Sequence, residues 1–376
     1  MIKIRVIAGI MMFLLSHSGY AIALKADAAI GYDNNPFRLN DSFSSQDGKY
    51  LDLKMKAKQK FDNGITINAS GKSRNYNSSK SDANQFLFGI GAMYKHNAEI
   101  YNKKSTVKVV AGLKHKDKTY VSRFTGDIGE FGGNDISDRY DYNSFSLNAT
   151  FDLKISKKLI TEIGLKYRNR DYEDYNINGL SNLDYSQYYL TNDWTYKQNK
   201  KNKYDFKLYL GKRNYDDKRE KNLSGSEVAG SDLEYDYFGV SIGHRYKVDK
   251  DISISWELKY QDRKDSGTGY YDMDEIIADI GIKYRFLSNW RFIGNLLYID
   301  RNYPVRISIS DENDIQSPDK QGYAIKFRFE RQLPEITKYD TRAYIGMIYE
   351  DYDSDEPAYV YDRMQIMTGI KINLSI

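Results

Sequence analysis

The chain has 376 residues, 29% of them charged, a net charge of +4 and a mean hydropathy of -0.69. That charge is too mild for a nucleic-acid partner, and the lack of cysteine excludes disulfides, thiolate metal sites, a thiol nucleophile and a lipoprotein anchor. Beyond the N-terminus no stretch approaches the roughly 20 apolar residues of a spanning helix, yet 35 Tyr and 16 Phe against only 5 Pro suit a chain of many paired strands.

The N-terminus reads as an export leader. Lys3 and Arg5 precede an apolar run from Val6 to Leu15, and small residues follow at Ser16, Ser18, Gly19, Ala21 and Ala23. The apolar run is too short to span a bilayer, and Ala21-Ile22-Ala23 fits a small-x-small cleavage site, with Gly19-Tyr20-Ala21 as the competitor. The expected organisation is a signal peptide at 1–23 and one domain at 24–376.

From there period-two alternation dominates. Phe145, Leu147, Ala149, Phe151 and Leu153 alternate with Ser146, Asn148, Thr150, Asp152 and Lys154. Ile252, Ile254, Trp256, Leu258 and Tyr260 share one face, and Ser253, Ser255, Glu257 and Lys259 the other. The same rhythm recurs at 276–286 and 323–330. Sixteen such segments start near residues 24, 49, 65, 85, 105, 141, 159, 185, 203, 235, 252, 271, 290, 321, 339 and 359.

The connections sort by parity. Those after even-numbered segments are short, as in Asp62-Asn63-Gly64, Ser156-Lys157-Lys158 and Leu287-Ser288-Asn289. Those after odd-numbered segments are mostly long, roughly 33–48, 119–139, 173–184, 215–233 and 302–320. From Met364 to Ile376 a last alternating segment follows, ending on Ile rather than the Phe common in closing barrel strands. A soluble β-sandwich or β-solenoid would alternate too, but has no reason to sort its loops. The fold class expected is all-β: a transmembrane antiparallel up-and-down β-barrel of about 16 strands, with short periplasmic turns and long extracellular loops, in the cell outer membrane.

If the apolar face meets lipid, the other face lines an aqueous interior. Its expected basic lining is Lys54, Lys56, Lys58, Lys108, Lys166, Arg168, Arg170, Lys207, Arg213, Lys259, Lys283, Arg285, Arg291, Lys326 and Arg328. Fewer acids share that face, among them Asp52, Asp152, Glu162, Asp193, Asp205, Glu257, Asp279 and Glu330. Such a wall concentrates anions, or merely pairs across strands. Tyr189, Tyr209 and Tyr237 fall on the same face, where they stack on sugar rings or fill space between strands. Asp351, Asp353 and Asp355 alternate as calcium-loop carboxylates do, but the glycine and the distant Glu of that loop are missing, so a solvated loop beside lipopolysaccharide is expected and no metal or cofactor. Loop 119–139 reads either as an inward constriction or as a surface loop.

Enzyme activity is not expected. His17 leaves with the leader, His96 falls in an expected turn, and His115 and His244 take the lipid-facing parity. The GxSxG, HExxH and Walker patterns are missing from the sequence.

The stretch Gly31-Tyr32-Asp33-Asn34-Asn35-Pro36-Phe37-Arg38 resembles the first strand and loop of outer-membrane β-barrel porins found with exopolysaccharide secretion clusters, which often open Gly-Tyr-Asp-x-Asn-x-Phe-Arg. The resemblance implies a conduit for the last step of polysaccharide export in biofilm formation, working with a separate periplasmic polysaccharide-export protein. The expected function is export of an anionic exopolysaccharide through a basic lumen. The alternatives are a passive diffusion porin for acidic oligosaccharides or other anions, and a plugged structural or adhesive surface barrel.

Overall fold

A computed structural model describes residues 22–40, 47–77, 83–100, 102–122, 126–306, 308–311, 314–316, 319–334 and 339–375. The expected leader lies almost wholly outside the described residues.

Sixteen strands close into one antiparallel barrel. They are β1 (Ile22–Asp33), β2 (Gly48–Lys60), β3 (Ile65–Asn77), β4 (Gln85–Ile100), β5 (Lys103–Lys118), β6 (Tyr142–Lys154), β7 (Leu159–Tyr172) and β8 (Tyr185–Lys197). The second half comprises β9 (Asn202–Tyr215), β10 (Glu234–Lys247), β11 (Ile252–Asp265), β12 (Met273–Leu287), β13 (Trp290–Asn302), β14 (Lys320–Gln332), β15 (Asp340–Ser354) and β16 (Tyr361–Ser375). Each strand pairs with its sequence neighbour, and β1 pairs with β16, Ala23 opposite Ser375 and Asp33 opposite Gln365. Closure leaves no sheet edge with unpaired backbone groups, which is what permits strands in a bilayer. The sixteen expected segments begin within two residues of these strands, the widest offsets being 24 against Ile22, 105 against Lys103, 271 against Met273 and 359 against Tyr361.

The alternation sets which face looks out. Ile30, Leu165 and Leu210 are 62%, 63% and 49% exposed, as are many other apolar residues at their parity. In water that exterior would be unstable; in hydrocarbon it is solvated. Aromatic rings gather near both margins of this surface: Tyr94, Tyr204, Tyr246 and Tyr284 toward the short turns, and Tyr188, Tyr260, Tyr298 and Tyr323 toward the long loops. Two such girdles flanking an apolar band mark a membrane-spanning barrel.

The tight ends use residues that tolerate positive φ, Gly64 at 83° between β2 and β3 and Asn102 at 58° between β4 and β5. The β4–β5 hairpin is longer than the sequence suggests. His96 therefore lies on β4, pointing outward beside Tyr94 at 6.4 Å between centroids, and not in a turn. Loop 119–141 carries a small hairpin, Glu130–Phe131 against Asn134–Asp135.

The loops at the other end pack on one another. Phe37 and Leu39 of the first loop, Ala83 of the second and Val121 of the third form one buried cluster against Tyr76. The first loop is held by Asn35, whose side-chain amide donates to the Leu39 and Asp362 carbonyls at 2.8 and 2.9 Å. The first three loops thus interlock at the mouth.

Candidate functional site

The interior is built from the polar parity of the strands. All fifteen basic residues of the expected lining sit there: Lys54, Lys56 and Lys58 on β2; Lys108 on β5; Lys166, Arg168 and Arg170 on β7; Lys207 and Arg213 on β9; Lys259 on β11; Lys283 and Arg285 on β12; Arg291 on β13; Lys326 and Arg328 on β14. Arg285 lies at the short-turn rim beside a β-bulge, 3.8 Å from Asp251.

Many of these cations are paired, and the pairing is asymmetric. Asp52 has a side chain 2% exposed, whereas Lys54, 3.5 Å away, is 39% exposed. Glu330 is 1% exposed and receives Arg291 and Arg328, which are 31% and 34% exposed. Glu275 is 6% exposed behind Arg301 at 32%. The carboxylates lie against the wall and the longer cationic side chains stand in front of them. At these three carboxylates a solute in the lumen meets the cation first, whereas at Lys203–Asp205 the acid is the more exposed member. Among the described residues, Lys56, Lys58, Lys166, Arg168, Lys283 and Lys326 have no carboxylate within 4.0 Å.

One sector differs. On β6 to β8 three acids face one another in register, Asp152 opposite Glu162 and Glu162 opposite Asp193, and on β11 and β12 Glu257 stands opposite Asp279. Lys108 partly neutralises the first group, 2.5 Å from Asp152 and 3.2 Å from Glu162, and Lys207 lies 3.7 Å from Asp193. The lumen therefore has an acidic strip near its short-turn end and basic walls elsewhere.

Tyr189, Tyr209 and Tyr237 lie together. Tyr189 is 5.8 Å from each of the other two rings. The Gln187 side chain donates to the Tyr189 hydroxyl at 2.6 Å, and the Tyr209 hydroxyl donates to Gln261 at 2.6 Å. Two of the rings cover a glycine on the next strand: a Cβ at Gly211 would fall 2.2 Å from Tyr189, and one at Gly239 would fall 2.1 Å from Tyr209.

The sequence reading missed a ring of arginines and tyrosines at the mouth. Arg74, Arg170, Arg213 and Arg301 each donate to a tyrosine hydroxyl two residues on: Tyr76, Tyr172, Tyr215 and Tyr303. Three of them also lie over a tyrosine of a neighbouring strand, Arg74 over Tyr50 at 4.3 Å, Arg170 over Tyr142 at 4.1 Å and Arg213 over Tyr185 at 4.3 Å. Arg263 completes the series over Tyr235 at 4.6 Å. The signal is in the sequence: Arg-Asn-Tyr occurs at 74–76, 213–215 and 301–303, and Arg-Asp-Tyr at 170–172, always where an odd-numbered strand ends. Positions i and i+2 share a strand face, so the spacing places guanidinium and ring together.

Loop groups near the mouth are perturbed. Burial lowers the Lys218 ammonium to about 8, aided by the charges of Arg263, Lys221, Arg139 and Arg213. Its Nζ lies 5.1 Å from the Tyr215 ring and 4.9 Å from Tyr271. Burial likewise raises the Asp184 carboxyl to about 6, with Asp174, Asp171 and Asp216 nearby, although the Tyr172 N–H donates to it at 2.6 Å.

Asp351 and Asp353 share a face at the end of β15, and Asp355 follows the strand. Asp351 accepts from the Tyr323 and Tyr349 hydroxyls at 3.1 and 3.5 Å. Among the described residues no group of three potential ligands is placed to hold a metal ion. His115 lies 3.0 Å from Asn143, and His244 stacks on Tyr204 at 4.5 Å.

No protein-family model matches the chain, and no curated protein sequence does. Among solved structures, OccAB1 of Acinetobacter baumannii has a TM-score of 0.47 and 10% identity, covering 95% of this chain and 96% of its own. OccK2 of Pseudomonas aeruginosa gives 0.45 and 10%, covering 94% and 98%. A BenF-like porin from Pseudomonas fluorescens gives 0.46 and 10%, covering 94% and 99%. The functional reading rests on the chain's own residues.

Proposed function

We propose that this protein is an outer-membrane channel through which small anionic solutes, acidic sugars among them, diffuse passively. The observation that carries this reading is the asymmetry of the wall: Asp52, Glu275 and Glu330 are buried behind the exposed cations of Lys54, Arg301, Arg291 and Arg328. Among the described residues, the six wall cations Lys56, Lys58, Lys166, Arg168, Lys283 and Lys326 have no carboxylate within 4.0 Å. A lumen whose first-met charge is positive, inside a low-dielectric shell, raises the local concentration of anions. Many weak sites in series favour passage, because one strong site would hold the solute.

Export of an acidic polymer needs the same wall charge and a wider mouth. Phe37, Leu39, Ala83 and Val121 pack three loops together at the mouth, and an entrance held by packed loops suits small solutes better than a threading chain. Diffusion also requires no periplasmic export partner. The test is the reversal potential of the purified protein in a planar bilayer under a salt gradient. Anion preference is expected. Cation preference would overturn the reading, and zero conductance would leave the plugged surface barrel.

A further inference from the structure

The outer mouth contains a cavity of about 430 Å³ that the wall charges do not explain. It lies where β5 ends and the first loop, loop 119–141 and the last loop meet. Its lining combines two elements of one chemistry: the rings of Phe37, Tyr120, Tyr140 and Tyr359, and the cations Lys116 and Lys118, with no carboxylate among its lining residues. The Tyr120 and Tyr140 rings meet edge to face at 4.8 Å, and Tyr140 remains 40% exposed. Lys116 takes the inward parity of β5, its Nζ 5.5 Å from the Tyr142 ring that Arg170 also covers at 4.1 Å. Among the described residues no carboxylate lies within 4.0 Å of Lys116. The nearby acid, Asp141, is engaged by the Lys118 backbone N–H at 2.7 Å.

Aromatic faces pack against the C–H faces of a sugar ring, and an unneutralised ammonium takes a carboxylate. A volume of this size holds one or two sugar residues by comparison with ordinary ligand sites of about 300–1,000 Å³. A plain inorganic anion would need the lysine but not four rings; a neutral sugar would need the rings but not the lysine.

We propose that this cavity binds the terminal residue of a carboxylated saccharide, its carboxylate on Lys116 and its ring on Tyr140, before the solute enters the lumen. The inference rests on the channel reading, since it supplies the substrate class for that path. Binding here fixes which anions are concentrated at the entrance, and the wall then passes them.

The test is isothermal titration of the detergent-solubilised protein with galacturonate, galactose and acetate. Galacturonate is expected to bind at least about tenfold more tightly than either control, equivalent to about 1.4 kcal/mol. Lys116→Gln and Tyr140→Ala should each reduce galacturonate binding to the level of the controls, and Lys157→Gln, in an exposed short turn outside both the cavity and the lumen wall, should not. Equal binding of galacturonate and acetate would overturn the proposal, as would unchanged binding in both Lys116→Gln and Tyr140→Ala. Bilayer measurements on the same preparations separate this from the channel reading. Anion selectivity retained without saccharide discrimination sinks the site alone, and loss of anion selectivity in the wild type sinks the channel reading.

Discussion

The Arg363 guanidinium closes on the Asp33 carboxylate where the last strand meets the first, with Nε at 3.0 Å and the second nitrogen at 2.6 Å. Asp33 is fully buried and also accepts from Tyr76 and Gln365, while Arg363 reaches Glu350 at 3.3 Å. Glu350 in turn receives Arg38, whose φ of 58° lets the first loop fold inward. The seam of the barrel and the tuck of its first loop are therefore one network. The Gly-Tyr-Asp-x-Asn-x-Phe-Arg stretch supplies Asp33, Asn35, Phe37 and Arg38 to it.

That network predicts a strong, non-additive response. Arg363→Met leaves Asp33 and Glu350 buried with too few donors and should cost about 3–5 kcal/mol. Asp33→Asn combined with Arg363→Met should cost less than Arg363→Met alone, because the stranded charge is gone. Heat-modifiable gel mobility, scanned over temperature, reads both. A double variant less stable than the single one contradicts the account.

Replacing Lys56, Lys58, Arg168, Lys283 and Lys326 together with Gln removes cations that have no carboxylate close by. The anion-to-cation permeability ratio should fall several-fold toward unity, with folding unchanged, because exposed charges add little to stability. An unchanged ratio would show that these side chains do not set the field in the lumen.

Gly239→Ala should loosen the aromatic cluster. Its Cβ would fall 2.1 Å from the Tyr209 ring, so the ring must swing away and lose its hydrogen bond to Gln261. Overpacking of this kind costs about 1–3 kcal/mol. Tyr209→Ala in the Gly239→Ala background should restore stability relative to Gly239→Ala alone. If Gly239→Ala melts with the wild type, the ring does not need the glycine.

Loop 173–184 should respond to pH through Asp184. Its carboxyl is raised to about 6 from an ordinary 3.8. A folded-state value above the unfolded one gives a stabilising contribution that is full below about 4 and lost as pH rises through 6. Hydrogen exchange of the loop, corrected for intrinsic rate, should show more protection at pH 5 than at pH 7.5. Asp184→Asn should flatten that difference, and a slope that survives the substitution assigns it to another group.

The strands were legible because their signal is local. Residues i and i+2 share a face whatever the rest of the chain does, so Ile252, Ile254, Trp256 and Leu258 announce a lipid face on their own. Loop parity added the antiparallel order, and sixteen starts followed within two residues. His96 was misplaced because a hairpin end depends on how far two strands remain paired, which alternation does not limit. The Arg-x-Tyr series was present in the sequence, but its meaning depends on the tyrosines that neighbouring strands bring over Arg74, Arg170 and Arg213.

By itself, then, the sequence determined strand number, the two faces of each strand and which charges share the inner one, since these follow from a fixed two-residue period. Only the tertiary structure decided how those charges are arranged in depth. Register sets Glu162 between Asp152 and Asp193, and Arg291 opposite Glu330. Side-chain length then puts the guanidinium in front of the carboxylate, and burial against the wall hides the anion from the lumen. Closure brought Asp33 to Arg363 across 330 residues, and with them the loops that form the cavity at the mouth.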